Sequence, residues 1–228
     1  MKRIELLDAW RSLCIFTMVV YHLLVDLSLF GVLPGSITAE PIMLTVRDAG
    51  AMSFIFISGI SSAFSGNNIR RGIVISAAGL AVVLATYAIG YPVRFGILQC
   101  LGVCKLLFGA AQSRLQKISG IWTLTVYIIL FFLTMYLTQS VMAESEWLFP
   151  FGFKYAGFYS ADYFPLFPWC FAFLAGTWVG QRISERSDSL PRLYASVPRA
   201  LTWPGRHSLI IYLLHQPVLY GACRLLLG

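Results

Sequence analysis

The feature that most constrains this chain is a series of seven long apolar runs, which together occupy more than half of its 228 residues. Each run is about 17–22 residues long, and a helix of that length crosses a hydrocarbon core of about 30 Å. The runs cover residues 9–30, 48–64, 72–91, 95–111, 120–139, 164–183 and 208–227. This pattern predicts an all-α fold, a polytopic transmembrane helical bundle of about seven spans.

The composition excludes a soluble globular protein. Charged residues make up only 12% of the chain and hydrophobic residues 58%, whereas about a quarter of the residues in a typical soluble domain are charged. Too few polar side chains are present to cover a surface in water, so the lipid bilayer is the predicted solvent. Neither an internal repeat nor a low-complexity linker divides the sequence, and we interpret residues 1–228 as a single membrane-embedded domain.

The net charge of +7 would suggest a nucleic-acid partner in a soluble protein, but here its distribution indicates topology. With seven spans and the N-terminus inside, the inner segments hold eleven Lys and Arg residues, Lys2 among them, and the outer segments hold four. Cytoplasmic loops of membrane proteins are enriched in Lys and Arg. We therefore expect the N-terminus to be inside, and we expect no nucleic-acid partner.

The first apolar run carries a stripe of ionisable side chains. At about 100° per residue, all of them fall on one helix face about 60° wide. That face must point into the bundle or a water-filled cavity, because charged groups exposed to lipid are costly. The residues are Asp8, Arg11, His22 and Asp26.

Spacing divides this stripe into two pairs. Asp8 and Arg11 are three residues apart, which suits an ion pair on one helix face. Asp26 follows His22 by four residues, so its carboxylate is placed to hold the imidazole in one tautomer for proton transfer. A purely structural buried network, or a proton relay in a transporter, would use the same residues, and the stripe alone does not choose among these roles.

Several segments resemble one family in the same order along residues 3–221. The first run, LDAWRSLCIFTMVVYHLLVDL, has the Arg-x10-His arrangement of Arg11 and His22 and looks like the first span of the membrane acyltransferase superfamily. FIFISGISSAFS, RFGILQCLGV, FYSADYFPLFPW and WPGRHSLIIYLLHQPVLYG resemble bacterial relatives of the heparan-α-glucosaminide N-acetyltransferase membrane catalytic domain. The last of these motifs is the most specific.

This resemblance implies a transmembrane acetyltransferase of the bacterial cytoplasmic membrane. Acetyl from cytosolic acetyl-CoA would pass to an amino or hydroxyl group of a sugar or cell-surface glycan, with His22 as the catalytic residue. Gln99 is a departure, since many relatives are expected to read Phe-Gly-Ile-Leu-His at this motif; a glutamine there can still hydrogen-bond a carbonyl or a sugar hydroxyl.

Further site residues are predicted from their positions. Arg206 and His207 precede the last run at the inner face, where with Arg11 they suit the phosphates of CoA, although an interfacial helix start explains them as well. His215 lies deeper in that run, before Pro217, which frees a backbone carbonyl, although a hydrogen-bonded core histidine is an equal explanation. Asp162 stands among aromatic residues, a combination that suits a sugar, although an interfacial belt would look the same. Ser58 in the Ser-Gly motif is a further predicted substrate contact, although close helix packing is the better explanation of this motif.

Acetyl-CoA is thus the predicted donor, and no metal is expected because the five cysteines lie singly in apolar surroundings. Cys100 and Cys104 are one turn apart, but no second ligand pair lies near them in the sequence. Gly- and Ala-rich helix faces permit a homodimer. The rival hypothesis is a proton-coupled transporter or flippase of a small polar solute, in which the histidine and aspartate relay protons and CoA has no role.

Overall fold

The protein is described here by a computed structural model, which covers residues 3–118 and 120–227. Lys2, one of the eleven inner basic residues, lies outside this part of the chain. Within it the secondary structure is helical, with no strand, so the predicted all-α class is confirmed.

Eight α-helices and four short 3₁₀ segments follow one another along the described residues. The α-helices are α1 (Glu5–Leu29), α2 (Pro41–Ala63), α3 (Asn68–Ala88), α4 (Ile97–Leu115), α5 (Ile121–Ser140), α6 (Leu166–Glu185), α7 (Arg199–Arg206) and α8 (Ser208–Leu227). The 3₁₀ segments are Ile37–Ala39, Glu146–Phe151, Ser187–Ser189 and Pro191–Tyr194.

Each of the seven apolar runs coincides with one of these helices. Five of the described helices, α1, α2, α3, α5 and α8, are long and apolar enough to cross a membrane. Helices α4 and α6 have lower hydropathy, because Lys105 and Arg114 interrupt the first and Gln181 and Arg182 the second. The protein is a membrane protein, while the count of seven spans and the inside position of the N-terminus stay predictions.

Two details differ from the sequence interpretation. Helix α2 begins at Pro41, seven residues before the predicted run, and Arg47 and Asp48, which pair with each other at 2.8 Å, lie inside the helix. Helix α7 was not predicted at all. Its eight residues are too few for a membrane span, and Arg199 and Arg206 at its two ends hide it from a search for apolar runs.

The helices form two compact units, Met1–Phe54 with Ser187–Gly228, and Ile55–Arg186. In the first unit α1 packs against α7 and α8. A Cβ at Gly205 would collide with the backbone carbonyl of Asp8, so only glycine lets α7 approach α1 this closely. The Gly205 N–H donates to Ser12 Oγ at 2.7 Å, and the Val197 N–H donates to Glu5 Oε2 at 2.9 Å.

The second unit contains the rest of α2 and helices α3 to α6. The predicted packing role of the Ser-Gly motif is confirmed here, because a Cβ at Gly59 would collide with the Phe173 carbonyl and one at Gly176 with the Phe56 carbonyl. Close backbone contact of this kind is typical of membrane helices, whose interfaces are rich in small residues. Whether residues 1–228 act as one domain stays a prediction.

Candidate active site

At the start of α1, three arginine side chains converge on one buried carboxylate. Asp8 is only 2% exposed. It accepts hydrogen bonds from Arg3 Nε at 2.6 Å and from Arg11 Nη1 at 3.2 Å, and Arg206 Nε lies 3.4 Å away. The ion pair of Asp8 and Arg11, predicted from their spacing, is therefore confirmed, and we call this group the arginine cluster.

The arginine cluster has more cationic than anionic groups. Besides Asp8, its second carboxylate is Glu5, which pairs with Arg206 at 2.9 Å. Among the described residues, these three guanidinium groups and two carboxylates together carry a net charge of +1. The hydrogen bond to Asp8 raises the pKa of Arg3 above its already high value. A charge surplus built from guanidinium groups is the arrangement that proteins use to bind phosphate.

Arg3 was missed as a site residue, because its place outside the apolar run gave no sign that it returns to Asp8. His207 is close in sequence but has a different local role. Its Nδ1 lies 2.9 Å from the Trp203 carbonyl, and its ring lies 4.5 Å from the Trp203 ring, centroid to centroid. The side chain is half-buried, so its edge remains accessible beside the arginine cluster.

Further along α1, the imidazole of His22 is held in one tautomer. Its Nδ1 lies 3.0 Å from the backbone carbonyl of Met18. A carbonyl oxygen can only accept, so Nδ1 carries the proton and Nε2 of the neutral ring carries a lone pair. The partner at Nδ1 is therefore Met18, one turn earlier, and not Asp26, one turn later, as the four-residue spacing predicted. The reason is local: the carbonyl is already in place on the helix, whereas Asp26 is engaged elsewhere.

The partner of Asp26 is on α8. Gln216 Nε2 donates to Asp26 Oδ1 at 2.9 Å, and the aspartate is only 1% exposed. His215, next to this glutamine, places its ring 4.8 Å from that of His22, centroid to centroid, at an interplanar angle of 69°. The structure thus brings together His22, Asp26 and His215, three of the predicted residues.

Gln216 was missed by the sequence interpretation. It is one of only two polar side chains between Tyr212 and Tyr220 on α8, and it is adjacent to the predicted His215. A polar residue inside an apolar run is the signal that could have identified it. Its contact with α1 depends on the pairing of two helices about 190 residues apart, which no local pattern reveals.

The remaining predicted residues belong to the second unit. Gln99 caps α4, where its Oε1 accepts the Gly96 N–H at 3.0 Å, and it ties α4 to α3, where its Nε2 donates to the Gly79 carbonyl at 2.9 Å. These two bonds give Gln99 a structural role. Ser58 is 8% exposed, and its carbonyl accepts a hydrogen bond from Ser62 Oγ at 2.8 Å.

Asp162 lies beside the N-terminus of α4 in the second unit. An ideal Cβ built on Gly96 would be 3.1 Å from Asp162 Oδ2, which puts the carboxylate near the positive end of the α4 dipole. Aromatic residues surround this loop as the sequence indicated. The Tyr163 ring lies 4.8 Å from that of Phe158, and Tyr163 Oη donates to the Phe149 carbonyl at 2.6 Å. Burial raises the pKa of the Tyr163 phenol.

The second unit also buries a lysine that carried no predicted role. Lys105 Nζ donates to Ser62 Oγ at 2.7 Å and lies 5.6 Å from the centroid of the Phe173 ring. Over residues 3–118 and 120–227, no group of three His, Cys, Asp or Glu side chains is arranged to hold a metal ion.

A comparison with family models places this site in context. The model described as heparan-alpha-glucosaminide N-acetyltransferase, catalytic, matches residues 3–217. The chain belongs to this family. No curated protein and no solved structure matches the chain significantly. The matched range contains every residue that the sequence predicted for the site, and membership makes the chain a membrane-embedded transferase.

Proposed function

We propose that this protein moves an acetyl group from cytosolic acetyl-CoA to an amino or hydroxyl group of a sugar or cell-surface glycan, in the bacterial cytoplasmic membrane. The observation that carries the proposal is the tautomer in which the His22 imidazole is held. Its Nδ1–H is taken by the Met18 carbonyl, so Nε2 is presented as a base in a family of acetyltransferases. A positioned imidazole typically accelerates such a transfer by about 10²–10⁴-fold.

The arginine cluster supports the assignment of the donor. Its surplus positive charge would bind the phosphates of CoA through Arg11 and Arg206, with His207 beside them. Arg11 and His22 are eleven residues apart on one helix, a separation of about 16 Å along the axis. The pantetheine arm of CoA, on the order of 15–20 Å, has a comparable length, so a donor bound at the cluster could bring its thioester to His22.

The transfer would follow ordinary acyl chemistry. The nitrogen or oxygen of the sugar bonds to the acetyl carbon while its proton passes to His22 Nε2. The carbon–sulfur bond breaks, the electron pair leaves with the CoA sulfur, and the proton on His22 then neutralises the thiolate. A route through an acetyl group carried on His22 has the same overall balance.

The predicted substrate contacts Asp162, Gln99 and Ser58 all belong to the second unit. The aromatic residues around Asp162 support a sugar-binding role for that loop, because rings pack on pyranose faces and a carboxylate accepts from hydroxyl groups. Gln99 and Ser58 stay predicted substrate contacts, and the homodimer stays a prediction.

Acetyl-CoA binding by the purified protein tests the proposal. We expect micromolar acetyl-CoA to raise the thermal unfolding midpoint of both wild type and His22→Ala, because the donor phosphates would bind away from His22. Transfer of labelled acetyl to an amino sugar should be measurable in the wild type and lost in His22→Ala. If acetyl-CoA gives no protection and vesicles containing the protein instead take up a solute with protons, the transporter hypothesis is correct.

A further inference from the structure

Three buried polar atoms between α1 and α8 make no hydrogen bond within the described chain. They are Asp26 Oδ2, His215 Nε2 and Gln216 Oε1. All belong to the first unit, and the bond from Gln216 to Asp26 holds two of the three side chains together. We call these three atoms the α1–α8 cluster.

All three atoms are hydrogen-bond acceptors. A carboxylate oxygen and an amide oxygen only accept. His215 Nδ1 lies 2.6 Å from the Tyr212 carbonyl and must carry its proton, so Nε2 of the neutral ring also accepts. Leaving a buried acceptor unsatisfied is costly, and three together are rarely retained without a ligand or another role. The group that satisfies them must carry several N–H or O–H donors.

The α1–α8 cluster lies next to His22, the proposed base. Asp26 follows His22 by one helical turn, about 6 Å along α1. The ring of His215 is 4.8 Å from that of His22 between centroids. A donor-rich group bound by these acceptors would therefore be within a few ångströms of the imidazole that takes a proton in the transfer.

We propose that the α1–α8 cluster binds the reacting group of the acetyl-accepting sugar, and that Gln216 is the residue that positions Asp26 for it. This inference rests on the proposed function. Gln216 uses its N–H to fix Asp26 Oδ1, which leaves Asp26 Oδ2 and its own Oε1 as acceptors for the sugar. The chemistry recognised is a group of N–H and O–H donors on one sugar, in which a neutral amine supplies two donors and each neighbouring hydroxyl supplies one.

Sugar binding without any CoA tests this proposal separately from acetyl transfer. The probes are D-glucosamine and D-glucose at equal concentrations, and the readout is the thermal unfolding midpoint of the protein in nanodiscs. We expect glucosamine, glucose or both to protect the wild type. Protection by glucosamine alone identifies the amine as the bound group, and equal protection by both identifies a hydroxyl.

Two variants show whether Gln216 is responsible for the protection that the sugar gives. Gln216→Met keeps the size of the side chain but loses its polar groups, and we expect the apparent affinity for the protecting sugar to fall about tenfold. Gln139→Met is the matched control, because Gln139 is exposed at the end of α5, and it should leave protection unchanged. Acetyl-CoA should protect all of these proteins equally, which a general loss of structure would not allow.

A double variant that exchanges the Asp26 carboxylate and the Gln216 amide distinguishes a lost contact from a folding defect. Asp26→Asn combined with Gln216→Glu keeps a carboxylate and an amide facing each other across α1 and α8, and we expect it to restore sugar protection toward the wild-type level. The proposal is overturned if neither sugar protects the wild type, or if Gln216→Met binds the sugar as the wild type does. Failure of acetyl-CoA to protect would instead overturn the proposed function, since the sugar titration contains no CoA.

Discussion

The two ends of α1 have opposite hydrogen-bonding needs. At the arginine cluster, three guanidinium groups gather around Asp8 and Glu5 with a net charge of +1. At the α1–α8 cluster, three acceptor atoms remain without a donor in the described chain. A surplus of donors suits an anion, and a surplus of acceptors suits an amine or a hydroxyl. Under the two proposals, one helix would present complementary sites for two chemically different substrates, with Arg11 and Asp26 about 22 Å apart along its axis.

The largest expected effect is on the acetyl-transfer rate, and it distinguishes the role of His22 from that of the arginine cluster on α1. His22→Gln removes the base and should lower the acetyl-transfer rate by about 10²–10⁴-fold while acetyl-CoA affinity stays unchanged. Arg11→Met removes one cation from the arginine cluster and should weaken acetyl-CoA binding by about tenfold or more. Steady-state kinetics together with acetyl-CoA titrations measure both. If each variant altered both quantities equally, the division of labour along α1 would be refuted.

The next effect concerns the stability of the arginine cluster. Asp8→Asn leaves three guanidinium groups facing one remaining carboxylate. We expect a loss of about 2 kcal/mol in the free energy of unfolding, less than for a fully buried pair because Arg3 and Arg206 are partly exposed. Denaturant unfolding in mixed micelles measures it. An unchanged free energy would mean that Asp8 does not hold the cluster together.

A smaller effect tests the packing that brings Arg206 to Asp8. Gly205→Ala places a methyl group against the Asp8 carbonyl and should cost about 1–3 kcal/mol of stability, with weaker acetyl-CoA binding. Gly221→Ala on α8 is the matched control, because nothing lies within 4 Å of its added Cβ. The two thermal unfolding midpoints should therefore differ clearly; similar values would contradict the close contact of α7 with α1.

The smallest effect comes from an ion pair outside both clusters. Arg47 and Asp48 pair at 2.8 Å, but their side chains are 40% and 48% exposed. Asp48→Asn should change the free energy of unfolding by less than about 1 kcal/mol, since water screens an exposed pair. Measured beside Asp8→Asn, it shows whether burial gives the Asp8 pairs their importance. Equal losses in the two variants would argue against burial as the cause.

Much of the helical framework could be predicted from local sequence. Seven apolar runs correspond to seven helices, because a hydrophobic segment of span length has few other conformations in lipid. Helix α7 escaped prediction because its eight residues include a charged residue at each end and a proline, and because it packs on α1 through Gly205. The start of α2 was placed late, since the charged Arg47 stands immediately before the predicted run.

The sequence by itself determined the membrane character, the polar face of α1 and the pairing of Asp8 with Arg11, because these follow from composition and helical period. Only the tertiary structure decided which groups from other segments complete that face. Arg3 and Arg206 reach Asp8, and Gln216, rather than His22, engages Asp26. These contacts join residues as many as about 190–200 positions apart, and their formation depends on helix packing, which a period along one helix cannot encode.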